Sequence, residues 1–316
     1  MTDRCWVVEG GQARSVSRDE ASALSGVAQL VWLHLDGGAG GLDQLRQLAL
    51  PAIAVEALSA FETRPRAEQV DGGFLVNLRG LDAEPEKTTD LLASIRMFVT
   101  EGRVVSLSMR DLSALDRVDD AFAECRVHDP GDLVWVLASA ITAELDPDVA
   151  RLGDALDDAE EALSGGNALE LRRSIAEIRS TAIRYRRFLQ PQRDALQRLA
   201  EFQTEWLRED DRQHLRQAAD RGARMAEELE AIRERSALMH EQLTDLRAEL
   251  LDTRSLILAI AAMIFLPLTF ITGLFGMNVD GIPYQHHPYS FWVITGFCLA
   301  VAVGVTVYFV WKRWSR

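Results

Sequence analysis

Ser255–Met277 reads SLILAIAAMIFLPLTFITGLFGM, 23 residues without a charge, and Phe291–Trp311 reads FWVITGFCLAVAVGVTVYFVW, 21 more. The hydrocarbon core of a bilayer is about 30 Å thick and takes about 20 helical residues to cross. Each stretch is therefore long enough to span it, and the chain is expected to be an integral membrane protein with two helices near its C-terminus. Pro267 lacks an N–H and removes one backbone hydrogen bond from the first span, where it either bends the helix or stands as a tolerated kink.

Working outward, the preceding 254 residues are polar enough to fold in water and ample for one large or two modest domains. They hold all but three of the 34 basic and all but one of the 48 acidic residues, a net charge of about −16. Phosphate binding is supplied by clustered Lys and Arg, so this balance argues against a nucleic-acid partner. It suits a body that gathers cations, and equally one made acidic for solubility. Met1–Gly10 has neither a basic n-region nor an apolar h-region, so no signal peptide is expected. Lys312, Arg313 and Arg316 follow the second span, whereas residues 278–290 contain no Lys or Arg. The positive-inside bias then places both termini in the cytoplasm and the loop outside, as for a multi-pass protein of a bacterial inner (plasma) membrane. Cys5, Cys125 and Cys298 are far apart and show no CxxC spacing, so they are read as structural.

Residues 1–110 alternate short apolar runs with turns. Ala28–Leu35, Gly73–Leu78, Ile95–Val99 and Val104–Met109 read as strands, with Glu101-Gly102 closing the last two into a hairpin. Helical pieces at Leu42–Leu48 and Ala52–Ser59 make this a mixed α/β domain. Thr63-Arg-Pro-Arg66 offers two arginines to a subunit contact or an anion, or forms a solvated turn. From residue 111 to 209 the chain reads as a helical layer: Asp146-Pro147 offers an N-cap followed by a proline at the first helical position, Ser164–Asn167 breaks a helix, and Gln190-Pro191 starts or kinks another.

Asp210–Met277 has one early glycine, Gly222, and no proline before Pro267. It reads as one very long helix, a stalk over 210–254 that runs into the first span at 255–277. Leu215, Ala218, Gly222, Met225, Leu229, Ile232, Ser236, Met239, Leu243, Leu246 and Leu250 recur at alternating steps of three and four, a seam that buries against neighbouring helices. At about 1.5 Å per residue the helix is on the order of 100 Å long, far beyond one bilayer. Two spans leave no room between them for ions, so a pore requires several copies.

Asp252, Ser255, Ala259, Ala262, Leu266, Thr269 and Gly273 form a face smaller and more polar than the one carrying Ile257, Ile260, Ile264 and Ile271. Such a face either lines a path or packs in an ordinary helix interface. As a path, Asn278 at its end supplies a neutral oxygen that can hydrogen-bond the waters of a hydrated cation, which suits Mg²⁺, an ion that dehydrates reluctantly. Gly273 and Gly276 permit close approach and a sharp helix end, with Met277 between Gly276 and Asn278. Ala259, Ala262 and Leu266 make an apolar band that can gate by excluding water. Asp252 either forms an acidic ring near the cytoplasmic end or makes a salt bridge with Arg247 or Arg254. In the loop 278–290, Asp280 and the adjacent His286 and His287 either capture a softer metal such as Zn²⁺ or anchor the loop at headgroups. His34, His128, His214 and His240 are scattered and read as structural.

Leu266–Asn278, ending in Gly276, Met277 and Asn278, closely resembles the signature at the outer end of the first span in the CorA superfamily of divalent-cation transporters. The order of parts is similar over nearly the whole chain. The resemblance implies an α+β membrane protein: a cytoplasmic α/β domain (1–110), a helical layer (111–209), the stalk, a pore-lining first span, a periplasmic loop (278–290), a second span (291–311) and a basic tail (312–316), assembled as a funnel-shaped homopentamer. It also implies that Gly276, Met277 and Asn278 form the selectivity motif. Glu62-Thr-Arg-Pro-Arg66, Leu78-Arg-Gly80 and Asp280-Gly-Ile-Pro283 look most like the zinc-transporting ZntB branch, whereas Met277 is the form usual in magnesium channels. The resemblance thus favours Zn²⁺ uptake, coupled in that branch to protons, over passive Mg²⁺, Co²⁺ or Ni²⁺ conduction; Cd²⁺ belongs to the same cargo class. Neither span contains Asp, Glu, His, Lys or Arg, so coupling has to use Asp252, Asp280, the loop histidines or the cytoplasmic body. The expected partners are further copies of the chain, membrane lipid and the transported cation, with no cofactor. A membrane-anchored scaffold or sensor is the alternative from another class; an enzyme is disfavoured because no P-loop, nucleophile motif or spaced metal cluster appears.

Overall fold

The computed structural model describes residues 3–38, 40–61, 64–84, 91–164, 168–277, 282 and 287–314. They fall into two compact units, Met1–His240 and Glu241–Arg316. The first contains a seven-stranded sheet of β1 (Arg4–Glu9), β2 (Gln12–Ser15), β3 (Leu30–Asp36), β4 (Arg66–Val70), β5 (Gly73–Leu81), β6 (Leu92–Thr100) and β7 (Arg103–Ser108). Its order is β2-β1-β3-β7-β6-β5-β4; β3 and β7 are parallel and the other neighbours antiparallel.

β3 is LVWLHLD with every residue buried, the near-continuous apolar run of a strand covered on both faces. Val31, Leu33 and Leu35 meet Leu75, Phe98, Val105 and Leu107 under Ala21, Leu45, Ala54 and Leu58, which come from α1 (Arg18–Ala23), α2 (Gly41–Gln47) and α3 (Ala52–Ser59). On the opposite face Phe122 of α4 (Ala114–Ala123) stacks on Trp32 at 5.4 Å and on Trp6 at 5.1 Å. His34 sits there between the Ser106 and Ser108 hydroxyls at 2.9 and 3.1 Å. Burial first, and the charge of Arg4 second, push its pKa down to about 3, so it is a neutral core residue.

The four expected strands correspond to β3, β5, β6 and β7. Their hairpin turns at Glu101-Gly102, where Gly102 takes φ +70, a left-handed geometry that glycine adopts without strain. β1, β2, β4 and α1 are additions to the expected elements. QARS and RAEQV are short and mostly polar because they lie at the two sheet edges, where one side faces water. Arg66, placed by the sequence in a turn, opens β4.

The helical layer is more continuous than expected. α5 starts at Asp129-Pro130 rather than Asp146-Pro147: Asp129 accepts the Asp132 N–H at 3.0 Å, and the helix runs from Pro130 to Glu161 with Pro147 inside it. An interior proline costs about 3 kcal/mol, but Ile141, Leu145, Val149 and Leu156 remain buried at helical spacing on both sides of it, which keeps the helix intact. α6 (Ala168–Glu201) likewise runs through Pro191 instead of starting there. Between them a short 3-10 turn, Ala162–Ser164, ends α5 at the expected break; residues 165–167 lie outside the described set.

α7 spans Glu209–Phe275 and α8 Ser290–Trp314, within two or three residues of the expected limits. Arg235 of α7 reaches Asp157 and Glu160 of α5 at 2.7 and 2.5 Å, and Glu230 pairs with Arg186 of α6 at 2.9 Å. The seam on α7 is buried from Leu215 to Leu243; Leu246 and Leu250 are then 46% and 59% exposed.

Candidate functional site

In the second unit, α7 and α8 are each long and apolar enough to cross a membrane. On α7, Asp252, Ser255, Ala259, Ala262, Leu266, Thr269, Gly273 and Gly276 are all exposed. Steps of three and four bring them to one face of the helix. A different row, Ile260, Ile264, Leu268 and Ile271, is half-buried. The apolar band from Ala259 to Leu266 covers about 10 Å of helix.

The end of α7 is set by hydrogen bonds. The Thr272 hydroxyl donates back to the Leu268 carbonyl at 2.9 Å, and the Gly276 N–H donates to the Thr272 carbonyl at 2.9 Å, closing the last turn. A Cβ at Gly276 would meet that carbonyl at 3.0 Å, whereas one at Gly273 would stand in open space. Gly276 is thus the sterically constrained glycine, and Gly273 leaves the face shallow. Met277 is 46% exposed. Asn278, Asp280 and His286 lie outside the described residues.

His287 is described and exposed. Its Nδ1 accepts the Tyr289 N–H at 3.5 Å and its carbonyl accepts the Ser290 N–H at 3.1 Å, so it helps to start α8 and would offer a metal its other ring nitrogen. Asp252 forms no ion pair among the described residues. Arg247 and Arg254 are five and two positions away, off the i±3/i±4 neighbours that meet on a helix surface, so of the two readings of Asp252 the salt bridge to either arginine is not made among the described residues.

A carboxylate cluster in the first unit escaped the sequence reading. Asp129, Asp132 and Asp211 bring oxygens within 4.8 Å of one another where α5 and α7 begin. Each carboxylate caps a backbone group. Asp129 accepts from the Asp132 N–H, Asp132 from the His128 N–H at 2.9 Å, and Asp211 from the Arg208 N–H at 2.8 Å. Arg208 also pairs with Asp129 at 2.8 Å, and the Trp135 indole donates to Asp132 at 3.1 Å. This is a double helix cap, in which acidic groups meet unpaired N–H groups and the positive ends of two helix dipoles. Burial, with Asp129 and Asp132 adding to it and the Arg208 N–H opposing it, pushes the Asp211 pKa up to about 6. The sequence signal was Asp129-Pro130 together with Glu209-Asp-Asp211.

A family profile described as CorA-like Mg²⁺ transporter protein matches residues 27–313. A zinc transport protein ZntB from Pectobacterium atrosepticum is 30% identical over 288 residues, covering 90% of this chain and 87% of that one. A divalent cation transporter CmaX from Pseudomonas aeruginosa is 32% identical over 313 residues, covering 97% and 93%. The solved structure of full-length CmaX superposes with a TM-score of 0.79 at 31% identity, covering 98% of this chain and 96% of its own.

Proposed function

The chain belongs to the CorA-like Mg²⁺ transporter family, and from that membership we propose that it moves divalent cations across the bacterial inner membrane, with Zn²⁺ as the principal cargo. The observation that carries this reading is the face of α7 running from Asp252 to Gly276, exposed along its length in one chain and ending in a turn that delivers Gly276 and Met277 directly before Asn278. Relatives named as zinc and divalent-cation transporters, at 30% and 32% identity over nine-tenths or more of this chain, support the cargo.

In this reading several copies, five by resemblance to the family, bring their α7 faces around a common axis. Asn278, Gly276 and Met277 form the outer ring that holds a hydrated cation, Ala259, Ala262 and Leu266 the dewetting gate, and Thr269 and Asp252 the inner polar steps. Exposure of Leu246 and Leu250, where the buried seam runs out, supports the presence of neighbouring copies. Asp280, His286 and His287 serve as external capture groups, and any proton coupling runs through the same groups, Asp252 or the cytoplasmic body. Met277 favours a second reading, passive Mg²⁺ conduction. Purified protein in liposomes loaded with a metal-sensitive dye tests both: saturable Zn²⁺ entry supports the first, Mg²⁺ entry without Zn²⁺ entry the second, and no flux of either sinks both.

A further inference from the structure

α6 carries eight arginines against four carboxylates, and α5 from Glu144 onward carries eight carboxylates against one arginine, so the two helices have surplus charge of opposite sign. They pack with α7 in a three-helix bundle. The Tyr185 hydroxyl of α6 donates to Asp148 of α5 at 3.1 Å, Arg235 of α7 reaches Asp157 of α5, and Glu230 of α7 pairs with Arg186 of α6. Leu145, Val149 and Leu156 on α5 and Ile175, Ala182 and Leu189 on α6 are the buried rows between them.

A helix turns by about 100° per residue, and on that count the order of faces is the same around α5 and α6. On each, the flank that meets the other helix is followed by the buried row, then by the flank that meets α7, then by a row of free charges. On α5 that row is Asp146, Asp154 and Glu161; on α6 it is Arg172, Arg179 and Arg187. All six are exposed, and none forms an ion pair among the described residues. α5 and α6 run antiparallel, so the same order of faces turns in opposite senses in space. The acidic row and the basic row therefore stand on opposite sides of the bundle.

The rows also match in height. Residues equally displaced from the bond between Asp148 and Tyr185, in opposite directions along the chain, stand level. Glu161 lies thirteen residues after Asp148 and Arg172 thirteen before Tyr185; Asp154 and Arg179 are each displaced by six, and Asp146 and Arg187 each by two. Rotation about an axis parallel to the bundle preserves height.

We propose that the acidic row of one copy docks against the basic row of the next, Glu161 on Arg172, Asp154 on Arg179 and Asp146 on Arg187. The partner is a second copy of this chain because the two rows agree in sign, spacing and height, which an unrelated acidic partner has no reason to do. Such a contact joins different surfaces of the two copies, and repeated about an axis it closes into a ring. Exposed pairs contribute little affinity singly, so their role is to fix the direction and register in which copies meet. This contact rests on the ring of copies proposed above and names the surfaces that order it.

The test uses the full-length protein in nanodiscs, carrying Asp154→Cys and Arg179→Cys with the exposed Cys125 replaced by Ser. A short bismaleimide cannot join the two cysteines of one copy, which lie on opposite sides of the bundle, but should link neighbours into a ladder ending at the closed ring. Either cysteine alone should give no ladder, nor should the pair Asp146→Cys, Arg172→Cys, offset in height by about 22 Å. Adding Arg172→Glu and Arg187→Glu to the first pair should cut linking about fivefold, and adding Glu161→Arg and Asp146→Arg to those should restore it. No ladder from a protein that native mass spectrometry shows to be a closed oligomer would overturn the contact and leave the ring standing, whereas a monomer would remove both. Equal linking by the offset pair would overturn the register. Linking unmoved by the reversal would leave the basic row to another anionic partner, such as lipid headgroups, and would also overturn the contact.

Discussion

The Asp211 carboxylate, in the first turn of α7, lies against the backbone of Gly131 in the first turn of α5, where a Cβ on residue 131 would collide with Oδ2 and stand 2.7 Å from the Trp206 carbonyl. Two helix starts are thereby held together by the Asp211 carboxylate, with no side chain from residue 131 in the way. Gly131→Ala improves helix propensity yet overpacks this joint, so it is expected to destabilise the protein by about 2 kcal/mol. Chemical denaturation of wild type and variant in the same detergent measures this; an unchanged or raised midpoint would refute the close-approach argument.

Asp211 also gives a pH dependence. Its folded pKa of about 6 lies above the ordinary carboxylate value of 3.8, so between those values the folded state binds more protons than the unfolded chain. Its contribution is most favourable at low pH and is lost as pH rises through about 6. Asp211→Asn cannot titrate and keeps an oxygen for the Arg208 N–H. Relative to this variant, wild type should lose about 2 kcal/mol between pH 4 and pH 7. Unfolding midpoints of both proteins across that range check it, and a pH-independent difference would contradict it.

At the proposed outer ring, Asn278→Ala removes a neutral oxygen from each copy while leaving the end of α7, closed by Gly276 and Thr272, unchanged. Metal flux into liposomes should fall by about an order of magnitude at equal protein incorporation. Flux at the wild-type rate would move recognition elsewhere.

Leu246 and Leu250 are exposed although they continue a seam buried as far as Leu243. Native mass spectrometry of the wild type in mild detergent is expected to show pentamers, and the double variant Leu246→Glu, Leu250→Glu to shift them towards monomer. A monomeric wild type, reproduced in nanodiscs, would remove the pore reading.

The adjacent histidines bear on cargo. Replacing His286 and His287 with Ala should raise the half-saturation for Zn²⁺ about tenfold, or about 1.4 kcal/mol, with Mg²⁺ flux nearly unchanged, since imidazole suits Zn²⁺ better than harder ions. Capture by neutral imidazole should weaken below about pH 6.5 outside, whereas coupled proton entry would raise Zn²⁺ influx in an inward proton gradient. Dye-loaded liposomes with an imposed gradient separate the two.

What the sequence determined by itself is whatever a continuous run of residues can encode. A charge-free run of sufficient length specifies each span, a three-four alternation specifies the α7 seam, and a buried central strand such as β3 is apolar on both faces and legible alone. The α7 face from Asp252 to Gly273 belongs here, because helical spacing alone aligns it. The tertiary structure decided what depends on partners distant in the chain. β2 and β4 look polar because only a neighbouring strand makes them strands, and Pro147 and Pro191 sit inside helices because burial on both sides outweighs the lost hydrogen bond. The junction of Asp129, Asp132 and Asp211 joins residues that sequence order keeps far apart. Their proximity and burial, and with them the raised pKa of Asp211, come from packing, which no local pattern records.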